Sequence, residues 1–246
     1  MTKYLTNNYP IINLYKKPYN KSEIVTQMIY GDSFSILEKS KKWIKIRIKE
    51  DNYKGYVLNK KFSYFLKPTH KVSILKTKIY KTANKKKVAG KLTFGSKLKV
   101  TEKKANFLKF ERGWISKKDV KSLSFKEKNP FKKISIFKNT KYKWGGKSFK
   151  GIDCSALVQV FMNFNKKYCP RDAKDQVRFF KKNIKLNKIN KNDIIFWKGH
   201  VAVALSSKKL IHAYGPMKKT VVMGINQTIE KIKRTANLKV IGIKRL

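Results

Sequence analysis

From Ile11 to Ile115 the chain consists of short runs in which apolar and polar residues alternate, the period of half-buried β-strands, punctuated by Gly, Pro, Asn and Asp. The first set comprises Ile11 to Tyr15, Ser22 to Ile29, Ser33 to Leu37, Trp43 to Ile48 and Tyr53 to Leu58, with turns at Pro18, Gly31-Asp32, Lys39 to Lys42 and Asp51-Asn52. Strands so short and so closely spaced predict a small β-barrel. The theme recurs from about residue 69, in Val72 to Leu75, Lys78 to Tyr80, Val88 to Leu92, Lys97 to Val100, Phe107 to Phe110 and Gly113 to Ile115. Gly95 takes the place of Gly31, and Gly113-Trp114 that of Gly55-Tyr56, so a loose internal duplication with unequal turns is expected.

Pro68 and the polar segment Lys117 to Pro130 mark boundaries, beyond which the pattern changes to mixed helix and strand. Leu157, Val158, Phe161 and Phe164 recur at helical spacing, which predicts a helix starting after Asp153 as N-cap. A second helix is expected near Ala173 to Lys182, with Arg171 and Asp172 fixing the loop before it and Asp172 as its cap. Strands follow at Asp193 to Trp197, His200 to Leu205, Lys209 to Ala213, Val221 to Met223 and Lys239 to Lys244, with a last helix around Thr228 to Lys233. Helices first and an antiparallel sheet afterwards predict an α+β domain. The expected organisation is 1–66, 67–123 and 124–246.

Composition changes this picture little. The 246 residues, 41% of them hydrophobic, suit two or three globular domains. The charge is extreme, 61 Lys and Arg against 14 Asp and Glu, giving +47. A basic chain can bind nucleic acid or another anionic polymer. Here the lysines are spread over nearly every segment, which points to a general compositional drift with weak attraction for anions as a by-product and no specific nucleic-acid partner. Two cysteines, Cys154 and Cys169, cannot supply a disulfide framework, and Cys169 reads as a buried thiol. The N-terminus lacks an apolar signal segment, and no run approaches the ~18 apolar residues of a membrane span, so a cytoplasmic location is expected.

The chemistry concentrates around Cys154. In the first turn of a helix, unpaired N–H groups and the positive dipole end favour a thiolate, so a lowered pKa is expected. Gly145, Gly146 and Gly151 just upstream allow the close backbone approach a cleft wall requires. In His200 to Leu205, alternation puts His200, Ala202 and Ala204 on one face, where the small residues leave room for another group. His212 falls on the next strand after a short turn, so both imidazoles are expected near one end of the sheet. The third histidine, His70, lies at a domain boundary and is given no chemical role. Cysteine, histidine and a second histidine then serve as nucleophile, general base and orienter, with His200 taking the thiol proton and His212 holding the far nitrogen of His200. Zinc is the competing use of these groups. A structural site needs four ligands at closer spacing, and neither CxxC nor HxxxH occurs, so no metal and no organic cofactor are expected.

These residues resemble the NlpC-type papain-like cell-wall peptidases. The carrying motifs are Tyr142-Lys143-Trp144-Gly145-Gly146, Asp153-Cys154-Ser155-Ala156-Leu157-Val158, Gly199-His200-Val201 and His212, with Ala156 standing where the family commonly has Gly. Cys169-Pro170-Arg171-Asp172-Ala173 and Asn192 to His200 are similar to the γ-D-glutamyl-L-diamino-acid endopeptidases, or dipeptidyl-peptidases VI. The resemblance implies two small SH3-like β-barrels followed by a papain-like domain of N-terminal helices packed on an antiparallel sheet. It implies as substrate a murein peptide with a free N-terminal L-Ala, cut between γ-D-Glu and the diamino acid in cell-wall degradation or recycling. It also implies that an acidic group and a tyrosine of the first SH3-like domain hold the substrate amine, best matched by Asp32 and Tyr53. Asp153 and Ser155 flank the nucleophile as candidate substrate contacts, and Tyr142 is the candidate hydroxyl for the oxyanion beside the Cys154 N–H. Two alternatives stay open: a non-catalytic binder of an anionic polymer, and a Cys-His amidase or acyltransferase acting on another substrate.

Overall fold

The computed structural model describes residues 4–65 and 67–246, which fall into two compact units. One is Met1–Lys126 with Lys147–Phe149, and the other is Glu127–Gly146 with Lys150–Leu246. Among its described residues the first unit is all β apart from a 3-10 turn, and its two larger cores lie one in each half.

Its first core is wrapped by an antiparallel sheet in the order Ile24–Ile29, Ile11–Tyr15, Lys54–Leu58, Trp43–Ile48, Ser33–Lys39, Tyr4–Thr6, Ser63–Tyr64. The strand Trp43–Ile48 shows how the pattern works. Ile44, Ile46 and Ile48 point inward to Leu14, Met28, Phe34 and Val57, while Lys45 and Arg47 point out. The outer strands Tyr4–Thr6 and Ser63–Tyr64 were not foreseen, since two or three residues carry no readable period.

The second core gathers Val72, Ile79, Leu92, Leu98, Leu108, Phe110, Ile115 and Val120 between a five-stranded and a three-stranded sheet. Tyr30, from the first segment, is buried in it, and its hydroxyl donates to Glu111 at 3.1 Å. The next residue is Gly31, with φ +85 and a Cβ position only 2.1 Å from the Lys97 carbonyl oxygen. Only glycine allows that approach.

The second unit holds an antiparallel sheet in the order Lys182–Asn183, Val240–Arg245, Ile194–Trp197, His200–Ala204, Lys209–Tyr214, Lys219–Gly224. Helix α1, Cys154–Phe164, lies against the His200 and Lys209 strands and against α2, Ala173–Phe179. Every α1 residue except Asn163 is buried, so it is a core helix and not a half-exposed one. α2 ends earlier than its pattern suggests, because Phe180 turns to extended backbone and buries its ring 6.4 Å from Phe196. α3, Ile225–Ala236, buries Ile225 and Ile232 on a layer of Trp197, Ala202, Ala204, Leu210, Tyr214 and Val221. Each such isoleucine contributes roughly 2 kcal/mol. The helix stops at Asn237, which takes the left-handed conformation that asparagine tolerates well.

Candidate active site

Cys154 owes its position to Asp153. The Asp153 carboxylate caps α1 by accepting the Ala156 N–H at 2.8 Å, and it accepts the Gly145 N–H at 2.9 Å. It thereby ties the Trp144-Gly145-Gly146 turn to the start of the helix. That turn is compact: a Cβ on Gly146 would lie 2.5 Å from the Gly151 carbonyl oxygen. The same carboxylate is held by Arg171 through Nη2 to Oδ2 at 2.6 Å and Nη1 to Oδ1 at 3.0 Å, and Arg171 also donates to the Ser155 hydroxyl at 2.9 Å. Ser155 in turn donates to Asp153 at 3.2 Å. Gln176 of α2 donates to the Ser155 and Pro170 carbonyls, both at 2.9 Å. Cys154 thus stands on a buried platform of Asp153, Ser155, Arg171 and Gln176.

The backbone N–H of Val201, the residue after His200, favours the thiolate of Cys154, and α1 packs on the strand that carries both histidine neighbours Val201 and Ala202. His200 Nε2 and His212 Nδ1 are 2.8 Å apart. His212 is wholly buried and stacks on Tyr214, 4.7 Å between centroids and 10° between planes. His200 keeps an edge open to solvent and packs beside Tyr214 and Trp197. Period two accounts for this: His212 and Tyr214 lie two apart on one strand, on the face that also receives His200. His200 and His212 are therefore brought together, on strands that pack against the helix Cys154 opens.

Electrostatics correct one expectation. Burial pushes the Cys154 thiol up to about 12, and the Asp153 carboxylate adds to that. The Val201 N–H, Arg171 and the Ser155 N–H act the other way and do not outweigh it. A helix start does favour thiolate, but here desolvation is the larger effect. Burial likewise lowers His200 to about 4, and burial with the charges of His200 and Lys231 lowers His212 to about 3. Both shifts favour the neutral forms, a thiol at Cys154 and an imidazole at His200.

The remaining expected residues divide. Tyr142 is positioned by donating its N–H to the Lys218 carbonyl at 2.8 Å, and its hydroxyl is raised by burial, then by Cys154 and Asp153. Asp153 and Ser155 are buried, with their side chains bonded to Arg171. Asp32 lies in the first unit in a buried ion cluster, 3.3 Å from Lys97 Nζ and 3.7 Å from Lys147 Nζ, while accepting the Ile29 N–H at 2.9 Å. Lys97 also pairs with Glu50. Burial would raise the Asp32 carboxyl, but Lys147, Lys97 and the Ile29 N–H hold it below its ordinary range. Its charge is thus already met by two lysines. Tyr53 packs at the edge of the first core and gives its N–H to Asp51 at 3.0 Å. Asp172 occupies the N-cap position of α2 without a side-chain bond to the helix. Arg171, foreseen only as a loop anchor, is the counter-charge of Asp153. Nothing in its local sequence signals that partner.

Residues 139–236 match the NlpC/P60 family, and residues 14–62 match the bacterial dipeptidyl-peptidase SH3 domain. Dipeptidyl-peptidase 6 of Lysinibacillus sphaericus is 40% identical over 74 residues, 30% of this chain and 27% of that protein. A probable endopeptidase NlpC homologue of Haemophilus influenzae strain Rd is 32% identical over 79 residues, 30% of this chain and 42% of that protein. Both matches span less than half of the relative. In fold, the chain is similar to an NlpC/P60 family protein from Bacillus cereus ATCC 10987, with TM-score 0.82 and 17% identity over 98% of this chain and 99% of the other. It is also similar to an NlpC/P60 endopeptidase from Photobacterium damselae subsp. piscicida, with TM-score 0.64 and 13% identity over 98% of this chain and 70% of the other.

Proposed function

We propose that this protein is a cysteine peptidase cutting murein stem peptides between γ-D-Glu and the diamino acid, a reading supported by the match of residues 139–236 to the NlpC/P60 family and of residues 14–62 to the bacterial dipeptidyl-peptidase SH3 domain. The observation that carries the reading is His200 Nε2 bonded to His212 Nδ1 at 2.8 Å, on a strand that packs against the helix Cys154 opens. In the proposed reaction the neutral His200 takes the Cys154 proton as sulfur attacks the carbonyl carbon of the γ-linked amide. The oxyanion forms beside the Cys154 N–H and the Tyr142 hydroxyl. His200 then returns the proton to the leaving amine of the diamino acid, and water hydrolyses the thioester. Asp153, Ser155 and Arg171 take no proton and hold Cys154 in place. No metal or organic cofactor enters these steps.

A preference for a free N-terminal L-Ala, and a cytoplasmic role in recycling released wall peptides, belong to the same reading, supported by the likeness to a dipeptidyl-peptidase. The test is mass spectrometry of products from defined murein tri- and tetrapeptides with free and acetylated amines. Release of L-Ala-γ-D-Glu from the free set alone is expected. Equal cutting of both sets removes the amine requirement, and cutting at another bond removes the assignment of the scissile amide.

A further inference from the structure

Behind the two histidines stands a side chain to which the reaction above gives no part, the Met223 thioether. Met223 lies on the strand Lys219–Gly224, in register with Leu210 and so diagonal to His212, and its sulfur is 3.5 Å from His212 Nε2. Across the ring, His212 Nδ1 meets His200 Nε2 at 2.8 Å. The stack on Tyr214 fixes the ring plane, and the described residues give His212 no other polar partner.

With one nitrogen on sulfur and one on His200, a neutral His212 has two arrangements. In the first, Nε2 carries the proton and donates it to sulfur, a weak acceptor that has no proton to give. Nδ1 then offers a lone pair, His200 must donate its Nε2–H, and His200 Nδ1 is left unprotonated. In the second, His212 Nδ1–H donates to His200 Nε2. His200 then carries its proton on Nδ1, and the Nε2 lone pair of His212 faces the lone pairs of sulfur. Only the first satisfies both contacts, and only the first leaves His200 a free nitrogen for the thiol. A carboxylate in place of sulfur would also accept Nε2–H, but it would draw His212 toward the charged state, in which Nδ1 no longer accepts.

We propose that Met223 is a positioning residue: its sulfur accepts the Nε2–H of His212 and so fixes the proton arrangement that leaves His200 Nδ1 free as the base for Cys154. The proposal rests on the cysteine-peptidase reading for its catalytic meaning, while the hydrogen bond can be tested without substrate. The ordinary alternative is that Met223, partly buried on the α3 side of the sheet, only fills space.

The experiment is 15N NMR of histidine-labelled free protein, which separates protonated from unprotonated ring nitrogens, combined with steady-state kinetics on a murein tetrapeptide. Wild-type His212 is expected with Nε2 protonated and Nδ1 bare. Met223→Leu keeps the volume and removes the acceptor. It is expected to mix the two His212 tautomers and to lower kcat about fivefold or more with KM unchanged, the worth of one weak hydrogen bond expressed as rate. Met223→Gln, which offers a carbonyl acceptor, is expected to restore the tautomer and most of kcat. Wild-type His212 protonated at Nδ1 overturns the proposal without any variant, and so does Met223→Leu with an unchanged tautomer and kcat within about twofold. A tautomer shift in Met223→Leu together with a wild-type protein that cuts no murein peptide upholds the hold of Met223 on His212 and removes the peptidase reading instead.

Discussion

Replacing Arg171 by Met tests whether the platform under Cys154 depends on a buried counter-charge. The Arg171 side chain is 2% exposed and that of Asp153 7%, so neither is screened by solvent. In Arg171→Met the Asp153 carboxylate keeps the Gly145 and Ala156 N–H groups and the Ser155 hydroxyl, but it loses both guanidinium bonds and, among the described residues, its one ion pair. Deleting one partner of a buried pair typically costs about 3–5 kcal/mol, chiefly because the other charge stays buried and uncompensated. Arg171→Lys keeps the charge without the two-pronged geometry and falls between. Asp153→Asn in the Arg171→Met background removes the stranded charge, so the double variant should cost less than the sum of the singles by about 2 kcal/mol. Urea unfolding followed by tryptophan fluorescence supplies the midpoints, and an unchanged slope identifies the shift as stability. A loss below about 1 kcal/mol in Arg171→Met, or strict additivity of the two changes, refutes the claim that this pair holds the start of α1.

Three further outcomes are expected. The acid limb of kcat/KM should lie near pH 4, where the base His200 becomes protonated, well below the ordinary histidine range, and activity should stay level through neutral pH because the thiol is held up to about 12; a limb near 6.5 in initial-rate measurements contradicts the burial argument. Stability carries the matching sign: folded-state values lowered to about 4 and about 3 mean that the unfolded chain binds protons first, so the histidine contribution is complete above about pH 6.5 and is lost as pH falls toward 4 and 3. Urea midpoints of wild type and His212→Asn should converge across that window, and parallel curves contradict the account. Gly31→Ala should destabilise the first unit by more than about 1 kcal/mol through the positive φ and the blocked approach to Lys97, read as a lower thermal midpoint, and an unchanged midpoint contradicts it.

The parts legible in the sequence are those set by local pattern. Asp153 before an apolar-periodic run gives both the cap and the start of α1, and alternation around His200 and His212 places two imidazoles on one face of adjacent strands. What escaped is what distant residues bring. Asp32 looks available in its turn, yet Lys97 and Lys147 arrive from far along the chain and fill its surroundings. Cys154 looks activated by its helix, yet burial by the sheet outweighs the helix end. The Arg171–Asp153 pair and the Met223–His212 contact join residues with no pattern linking them. Tyr214, two residues beyond His212, could have been placed beside it from the strand period alone.

The central claim is that Cys154 is the nucleophile of a peptidase acting on murein peptides. It is tested most directly by following release of L-Ala-γ-D-Glu from a murein tetrapeptide with wild type and with Cys154→Ala, a truncation by the sulfur alone whose fold is checked by its urea midpoint. The account predicts release by the wild type and none by Cys154→Ala at an unchanged or slightly lower midpoint. Equal turnover by the two proteins contradicts it.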